Sequence, residues 1–175
     1  MSTTRLISLA DAPALAALLR DNREFLAPWE PERGEDYFSQ AGQEAAIRNL
    51  LASHEQGTGL PHVILDEDGA VSGRINLNDI VRGCFQSCHL GYWLGAASNG
   101  RGLATAAVRE LVGIAFGELG LHRVQAATLV HNARSQRVLA RNGFTRIGVA
   151  PGYLRIAGRW QDHTLYQRLS GDHAA

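Results

Sequence analysis

Apolar residues alternate with polar ones, or cluster, in seven short segments of the chain, which predict seven β-strands. The expected strands cover residues 4–9, 63–65, 71–80, 87–94, 124–130, 145–156 and 159–169. The last two flank the dipeptide Ala157-Gly158, so we expect them to form a closing hairpin.

Four further segments carry apolar residues three and four positions apart, the spacing of one face of an α-helix. The predicted helices cover residues 12–22, the region 35–55, and residues 103–119 and 133–142. In the third helix two apolar stripes run side by side, so we expect it to pack broadly against a sheet and to end at Gly120. Pro28 and Pro31 favour an extended loop over residues 25–34, and Asn132 is expected to cap the last helix.

The elements follow the order strand, two helices, three strands, helix, strand, helix and two strands. A chain of 175 residues corresponds to about 1.2 domains at about 150 residues per domain. We therefore predict a single α/β (α+β) domain over residues 5–170, followed by a flexible tail over residues 171–175.

Charge and cysteine content exclude several classes of protein. Seventeen basic and 17 acidic residues give a formal net charge of zero, which argues against broad electrostatic binding of nucleic acid or of an anionic membrane. The sequence has no run of 18 apolar residues, so no membrane span is expected. Two cysteines cannot form a disulfide framework, and the first residues do not resemble a signal peptide, so we expect a cytoplasmic protein.

Histidine and cysteine spacing predicts no metal site. None of the seven histidines stands four residues from another, and Cys84, Cys88 and His89 lie in a predicted hairpin without a fourth ligand nearby. The pair Asp162-His163 matches two members of a catalytic triad, but the chain has no GxSxG nucleophile motif. We therefore interpret this pair as structural.

The segment Asn99-Gly100-Arg101-Gly102-Leu103-Ala104 joins a predicted strand to the long predicted helix. Glycines let a ligand approach the backbone, and the free N–H groups of a first helical turn attract anions, so the segment predicts a site for phosphate or pyrophosphate. It is not a dinucleotide fingerprint, because the third glycine of that motif would fall on Thr105, and it lacks the lysine of a P-loop.

Together with Asn132-Ala133-Arg134-Ser135 and Asn142-Gly143-Phe144, this segment resembles the GNAT superfamily of acyl-CoA-dependent N-acetyltransferases. Residues 22–31, 78–92 and Asp162-His163 are similar to its RimJ/RimL group, the bacterial N-acetyltransferases of ribosomal protein N-termini, and in particular to the RimJ-type alanine acetyltransferases. The resemblance implies a mixed, mostly antiparallel sheet flanked by helices, with the cofactor in a split between neighbouring strands. It also implies direct transfer of acetyl from acetyl-CoA to a primary amine.

The pattern that binds the coenzyme pyrophosphate in this superfamily falls on residues 99–104, where Asn99 stands in place of the usual arginine or glutamine. The resemblance places Ser135 near the sulfur, where its hydroxyl would stabilise the departing thiolate, a catalytic role. In full, it implies coenzyme contacts at Tyr92, Trp93, Leu94, Asn99, Gly100, Arg101, Gly102, Leu103, Ala104, Thr105, Asn132 and Ser135.

Protonation favours a chain N-terminus as the acceptor. An α-amino group with a pKa of about 7.7 to 8.0 is roughly a tenth to a fifth neutral at pH 7, whereas a lysine amine at about 10.4 is neutral in fewer than about one molecule in a thousand. A weak base is therefore sufficient, and Glu30 and Asp162 are the candidates, since Leu154 stands where part of the RimL group has a glutamate. We expect the acceptor to contact Trp29, Glu30, Tyr153 and Asp162.

Two other functions fit the same sequence. One is acetylation of a small-molecule amine, such as an antibiotic or an aminoacyl compound, by an enzyme of the same fold. The other is an acyl-CoA-binding or ribosome-associated module without turnover. The oligomeric state, monomer or homodimer, stays open. Arg134, Arg137 and Arg141 recur on the last predicted helix, where the coenzyme's outer phosphate, ribosomal RNA or solvent would face them.

Overall fold

The computed structural model describes residues 2–171, in which seven strands form one sheet. Residues 172–175 of the predicted tail lie outside the described residues. The strands are β1 Thr4–Leu6, β2 Leu60–Leu65, β3 Val71–Val81, β4 Ser87–Leu94, β5 Arg123–Leu129, β6 Thr145–Ile156 and β7 Arg159–Leu169.

Within residues 2–171 the chain forms five α-helices, of which four have nine residues or more and match the four predicted ones. The fifth, α2, is a single turn in the segment after the first helix. The helices are α1 Ala12–Asp21, α2 Arg23–Leu26, α3 Gln40–Glu55, α4 Leu103–Gly117 and α5 Ala133–Arg141.

The strands lie in the order β1-β2-β3-β4-β5-β7-β6. Neighbouring strands run antiparallel except β4 and β5, which run parallel. A parallel pair needs a long crossover connection, and α4 supplies it. The mixed, mostly antiparallel sheet that the resemblance implied is thereby confirmed.

Both faces of the sheet carry a hydrophobic core, because consecutive residues of a strand point to opposite sides. On one face, α4 and α5 cover a core that includes Leu90, Leu111 and Leu139. On the other face, α1 and α3 cover a core that includes Val63 and Trp93. Strand β4 supplies side chains to both cores and is therefore fixed from both sides.

The sheet opens between its two parallel strands. Strand β4 pairs with β5 at three positions, where Ser87, Cys88 and His89 face Arg123–Gln125. Beyond them, within the described chain, the rest of β4 pairs with β3 alone and the rest of β5 with β7 alone. The backbones of residues 90–94 and 126–129 therefore diverge and leave an opening between them, as the resemblance implied.

Two local differences from the predicted elements have physical causes. Strand β2 begins at Leu60 and includes Pro61, whose carbonyl accepts a hydrogen bond from Ile7 N at 3.1 Å, just past the end of β1. Because β1 has already ended on that side, no strand there requires the N–H that proline lacks. The segment expected to be extended begins instead with the turn α2, because Leu26 packs into the core.

Helix α4 ends at Gly117, three residues before the predicted Gly120. Gly120 has a φ of +61°, which lets Leu121 N return to the carbonyl of Ala115 at 2.9 Å. The glycine thus turns the chain toward β5 after the helix has ended. None of the helices in residues 2–171 is long and apolar enough to cross a membrane.

Candidate active site

Two adjoining cavities occupy the opening between β4 and β5. The outer cavity, of about 730 Å³, lies between the end of β4, the segment that includes α2, and the first turns of α5, where the exposed Arg134 and Arg137 contribute to its wall. The inner cavity, of about 190 Å³, lies between β4 and β5 and extends to β6 and β7. The two cavities share six lining residues, which are Leu26, Trp29, Tyr92, Trp93, Asn132 and Ser135.

The glycine-rich segment reaches the outer cavity at both of its ends, through Asn99 and Ala104. Gly102 directly precedes α4 with a φ of +82°, and Gly100 has a φ of +79°. The side-chain amide of Asn99 donates to the carbonyl of Gly95 at 2.9 Å. Asn99 therefore braces the turn before the glycines, and the N-terminus of α4 opens beside the cavity.

The other residues predicted in this segment make contacts with the protein itself. Arg101 lies 3.6 Å from the exposed carboxylate of Glu67, and Leu103 packs against the core. The Thr105 carbonyl accepts a hydrogen bond from the side chain of Asn142 at 3.2 Å, which ties α4 to the end of α5. What these three residues offer a ligand is consequently their backbone near the start of α4.

Two hydroxyl groups meet where the cavities join. Asn132 caps α5 as predicted, its side-chain oxygen accepting from Ser135 N at 3.1 Å. The Ser135 hydroxyl is left free of this cap and lies 2.7 Å from the hydroxyl of Tyr92. Burial raises the pKa of Tyr92 to about 12, so the phenol keeps its proton at neutral pH. If Tyr92 donates to Ser135, the serine proton is available to a group in the opening.

A buried donor lies beside this region. The indole Nε1 of Trp93 is buried and has no hydrogen-bond partner among residues 2–171; the residue borders both cavities, and its side chain packs in the core under α1 and α3. An unpaired buried N–H costs about 1 to 3 kcal/mol. The indole N–H is therefore an unsatisfied donor in the core next to the opening. Leu94, the last residue of β4, lines the outer cavity.

Glu30 brings a carboxyl group to the inner cavity. Its backbone carbonyl accepts from Ala157 N at 3.0 Å, which ties the loop of Glu30 to the turn between β6 and β7. Burial raises the pKa of the Glu30 carboxyl, and the positive charges of Arg74 and Arg33 oppose the shift. A poorly solvated carboxylate attracts a cation and accepts a proton more readily than an exposed one.

Trp29, expected at the acceptor alone, lies between the two cavities and lines both. Its ring is 5.5 Å from that of His131, at an angle of 39°. Replacing Trp29 would therefore change both cavities at once. The effect of such a variant would not distinguish acceptor binding from coenzyme binding.

The other two residues predicted at the acceptor, Tyr153 and Asp162, stand outside the linings of both cavities. The exposed Asp162 carboxylate accepts a hydrogen bond from Gly152 N at 2.8 Å, in an irregular part of β6. Its neighbour His163 is 3% exposed and lines the inner cavity. Successive residues of a strand point to opposite faces, which is why His163 lines the inner cavity and its neighbour Asp162 does not.

Potential metal ligands do not cluster in the described part of the chain: no three such side chains come together in residues 2–171. Cys84 is exposed and Cys88 is buried, and both are free thiols. Besides Glu30, His163, Ser135 and Tyr92, the polar side chains among the lining residues of the two cavities are those of Glu24, Trp29, Trp93, Asn99, Thr128, His131, Asn132, Arg134 and Arg137.

Comparison with known proteins gives consistent results. A family model described as "Acetyltransferase (GNAT) domain" matches residues 3–145. The chain is 37% identical over 162 residues to the ribosomal protein uS5-alanine N-acetyltransferase of Escherichia coli (strain K12), covering 92% of this chain and 84% of that protein. It is 34% identical over 169 residues to the probable N-acetyltransferase YjcK of Bacillus subtilis (strain 168), covering 96% and 93%.

Solved structures match over almost the whole chain. The crystal structure of a ribosomal-protein-S5-alanine acetyltransferase from Vibrio fischeri superposes with a TM-score of 0.91 at 33% identity, covering 98% of this chain and 94% of that one. Mycobacterium smegmatis RimJ in complex with CoA-disulfide superposes with a TM-score of 0.92 at 30% identity, covering 98% and 83%.

Proposed function

The chain belongs to the GNAT acetyltransferase family and is an acetyl-CoA-dependent N-acetyltransferase, and we propose that its acceptor is the N-terminal alanine or serine of a ribosomal protein in the cytoplasm. The relatives from E. coli and V. fischeri are named for acetylating an alanine of a ribosomal protein. The observation that carries the proposal is that Glu30 and the Ser135–Tyr92 hydroxyl pair line one small cavity in the opened sheet.

The outer cavity is the proposed place for the coenzyme part of acetyl-CoA. Backbone N–H groups from Gly100 to Thr105 would bind the pyrophosphate, since they precede or begin α4. Arg134 and Arg137, exposed at the cavity wall, offer positive charge for the outer phosphate. Asn132 and Trp93 border both cavities and would contact the pantetheine arm.

The residues of the inner cavity then have distinct tasks in the transfer. Glu30 would bind the acceptor ammonium by a charge-assisted hydrogen bond and take its first proton. Ser135 would donate to the sulfur as the carbon–sulfur bond breaks, with the neutral Tyr92 hydroxyl holding the serine in place. These are the two catalytic roles that we propose.

The size of the inner cavity favours a chain end with a small first side chain. About 190 Å³ must hold the acetyl group and the amine with the first residue of the acceptor. Leu154, Ile156 and Ala127 make part of the wall apolar, which suits a methyl or hydroxymethyl side chain. An α-amine also needs only a weak base, because about a tenth to a fifth of it is neutral at pH 7.

Two matched peptides test this function. One begins with a free Ala or Ser and contains no lysine; the other has the same sequence with its α-amine blocked and one internal Lys free. We expect the first to be acetylated far faster, measured by thiol release and by mass spectrometry of the product. Equal rates on the two peptides would contradict a dedicated N-terminal acceptor. Rapid acetylation of a small amine without turnover of either peptide would support a small-molecule substrate instead.

Gly102→Val should weaken acetyl-CoA binding at least tenfold, which corresponds to about 1.4 kcal/mol. Valine is strained at a φ of +82°, so the backbone must rotate and move the first N–H groups of α4. Titration calorimetry gives the dissociation constant. The control is Gly113→Ala, within α4 where open space surrounds the glycine, and it should bind normally. An unchanged constant for a folded Gly102→Val protein would remove this segment from the binding site.

A further inference from the structure

His163 is a buried, ionisable side chain that the proposed roles of Glu30 and Ser135 leave unused. It lies in β7, is 3% exposed, and lines the inner cavity together with Glu30, Tyr92 and Ser135. A buried histidine outside a binding site fills space in a core, but this one adjoins the cavity where the acceptor nitrogen must lie.

A hydrogen bond fixes the tautomer of the neutral ring. His163 Nδ1 lies 2.9 Å from the backbone carbonyl of Gln161, an acceptor only, so Nδ1 carries the hydrogen and donates it. The other nitrogen, Nε2, then bears a lone pair. Within residues 2–171 it has no hydrogen-bond partner. A cavity-lining imidazole with a free lone pair is an acceptor for a proton.

Neighbouring residues hold the ring in place. The Tyr153 ring lies 5.7 Å from that of His163 at an angle of 54°. Tyr153 belongs to the irregular part of β6, between Ala150 and Leu154, where the register against β7 shifts. Asp162 accepts from Gly152 N in the same irregular part. The two residues of the pair Asp162-His163 thus have different roles. Asp162 holds the part of β6 that carries Tyr153, and His163 lines the inner cavity.

The reaction has a place for a second base. An α-amine that arrives as an ammonium must lose two protons to become an amide nitrogen, the first before attack on the thioester and the second after it. Glu30 accounts for the first. A tetrahedral intermediate that keeps its second proton expels the neutral amine again rather than the thiolate, so a group that removes this proton commits the reaction.

Building on the proposed function, we propose that His163 Nε2 removes the second proton, as a general base distinct from Glu30. The nitrogen–carbon bond forms and the carbon–sulfur bond breaks, while the hydrogen bond from Ser135 stabilises the departing thiolate, which takes its proton from solvent. Glu30 and His163 each return a proton to solvent. The products are the N-acetylated chain, coenzyme A thiol and one net proton.

The test uses His163→Ala and His163→Gln with the Ala-initial peptide. We expect kcat to fall roughly ten- to a hundredfold in both variants, with the acetyl-CoA dissociation constant changed less than twofold. Added imidazole should restore a large part of kcat in His163→Ala and should not accelerate the wild-type protein. Calorimetric binding of acetyl-CoA shows that each variant is folded, and His163→Gln covers the case in which the alanine variant does not fold.

A matched control is His54→Gln. His54 Nδ1 also lies near a backbone carbonyl, that of Gly59 at 3.2 Å, but the residue stands outside both cavity linings. It should keep full activity. A kcat within twofold of wild type in the folded His163 variants, or a fall that imidazole does not relieve, overturns the inference. If the wild-type protein itself leaves the peptide unmodified, the proposed acceptor fails instead, and the same variants are then measured with the amine that is turned over.

Discussion

Ser135→Ala should lower kcat by something on the order of ten- to a thousandfold while the acetyl-CoA dissociation constant stays nearly unchanged. The Ser135 hydroxyl lies beside Tyr92 OH at 2.7 Å, and its helix is capped through its backbone N–H, so removing the hydroxyl leaves the cap intact. The lost interaction is one that strengthens as charge develops on sulfur, and for this reason it acts on kcat. Steady-state kinetics with calorimetric binding separates the two quantities.

The chain offers a control variant for Ser135→Ala at Ser53, and a second test at Tyr92, whose hydroxyl contacts that of Ser135. Ser53→Ala removes a hydroxyl from α3 that bonds the carbonyl of Asn49, and it should leave kcat unchanged. Tyr92→Phe should lower kcat less than Ser135→Ala, because it removes the group that orients the serine rather than the donor itself. The double variant should then be hardly slower than Ser135→Ala, since residues that act as a unit are not additive. Full kcat in Ser135→Ala would return this serine to a local structural role.

Glu30→Gln should reduce kcat/KM for the Ala-initial peptide about a hundredfold, the usual size of a general-base contribution. Glutamine keeps the shape of the side chain but neither attracts an ammonium nor accepts its proton. Burial raises the pKa of the Glu30 carboxyl, and the same burial costs a neutral amide less than a carboxylate, so the variant should fold well. Acetyl-CoA binding, measured separately, should not change.

The loop of Glu30 supplies its own control. Glu32 lies two residues further along the chain and lines a different cavity from the one that holds Ser135. Glu32→Gln removes the same charge from the same loop and should leave kcat/KM within about twofold, as for an ordinary surface substitution. Equal losses of kcat/KM in the two variants would mean that only the total charge of the loop matters. The position of the Glu30 carboxylate at the inner cavity would then have no role in the reaction.

Local rules predicted the elements that depend on neighbouring residues. The hairpin turn at Ala157-Gly158 and the Asn132 cap were visible because the residues that form them are adjacent in sequence. Pro61 is the opposite case. A proline argues against a strand in sequence-based prediction, yet Pro61 lies within β2, where it is tolerated because β1 ends before reaching it. That information belongs to a strand more than 50 residues away in the chain.

The site could be predicted in part for the same reason. Ser135 and Glu30 were proposed from the sequence and both line the inner cavity, but the contact between Ser135 and Tyr92 depends on the way β4 and β5 diverge. The choice between Asp162 and His163 depends on strand register, because a shift of one residue exchanges the two faces. The irregularity in β6 between Ala150 and Leu154 lies in the partner strand, and no local pattern fixes which neighbour of the pair faces inward.

The opening between β4 and β5 has a consequence for the folding equilibrium. Three residue pairs join the β1–β4 half of the sheet to the β5–β7 half, so the backbone groups along the rest of the seam lack the strand partner that a closed sheet would give them. A bound molecule that lies along this seam fastens the halves together and stabilises the native state by RT ln(1 + [L]/Kd), about 2.7 kcal/mol when its concentration is one hundred times Kd. Acetyl-CoA bound along this seam, as proposed, should therefore raise the free energy of unfolding as its concentration rises above Kd.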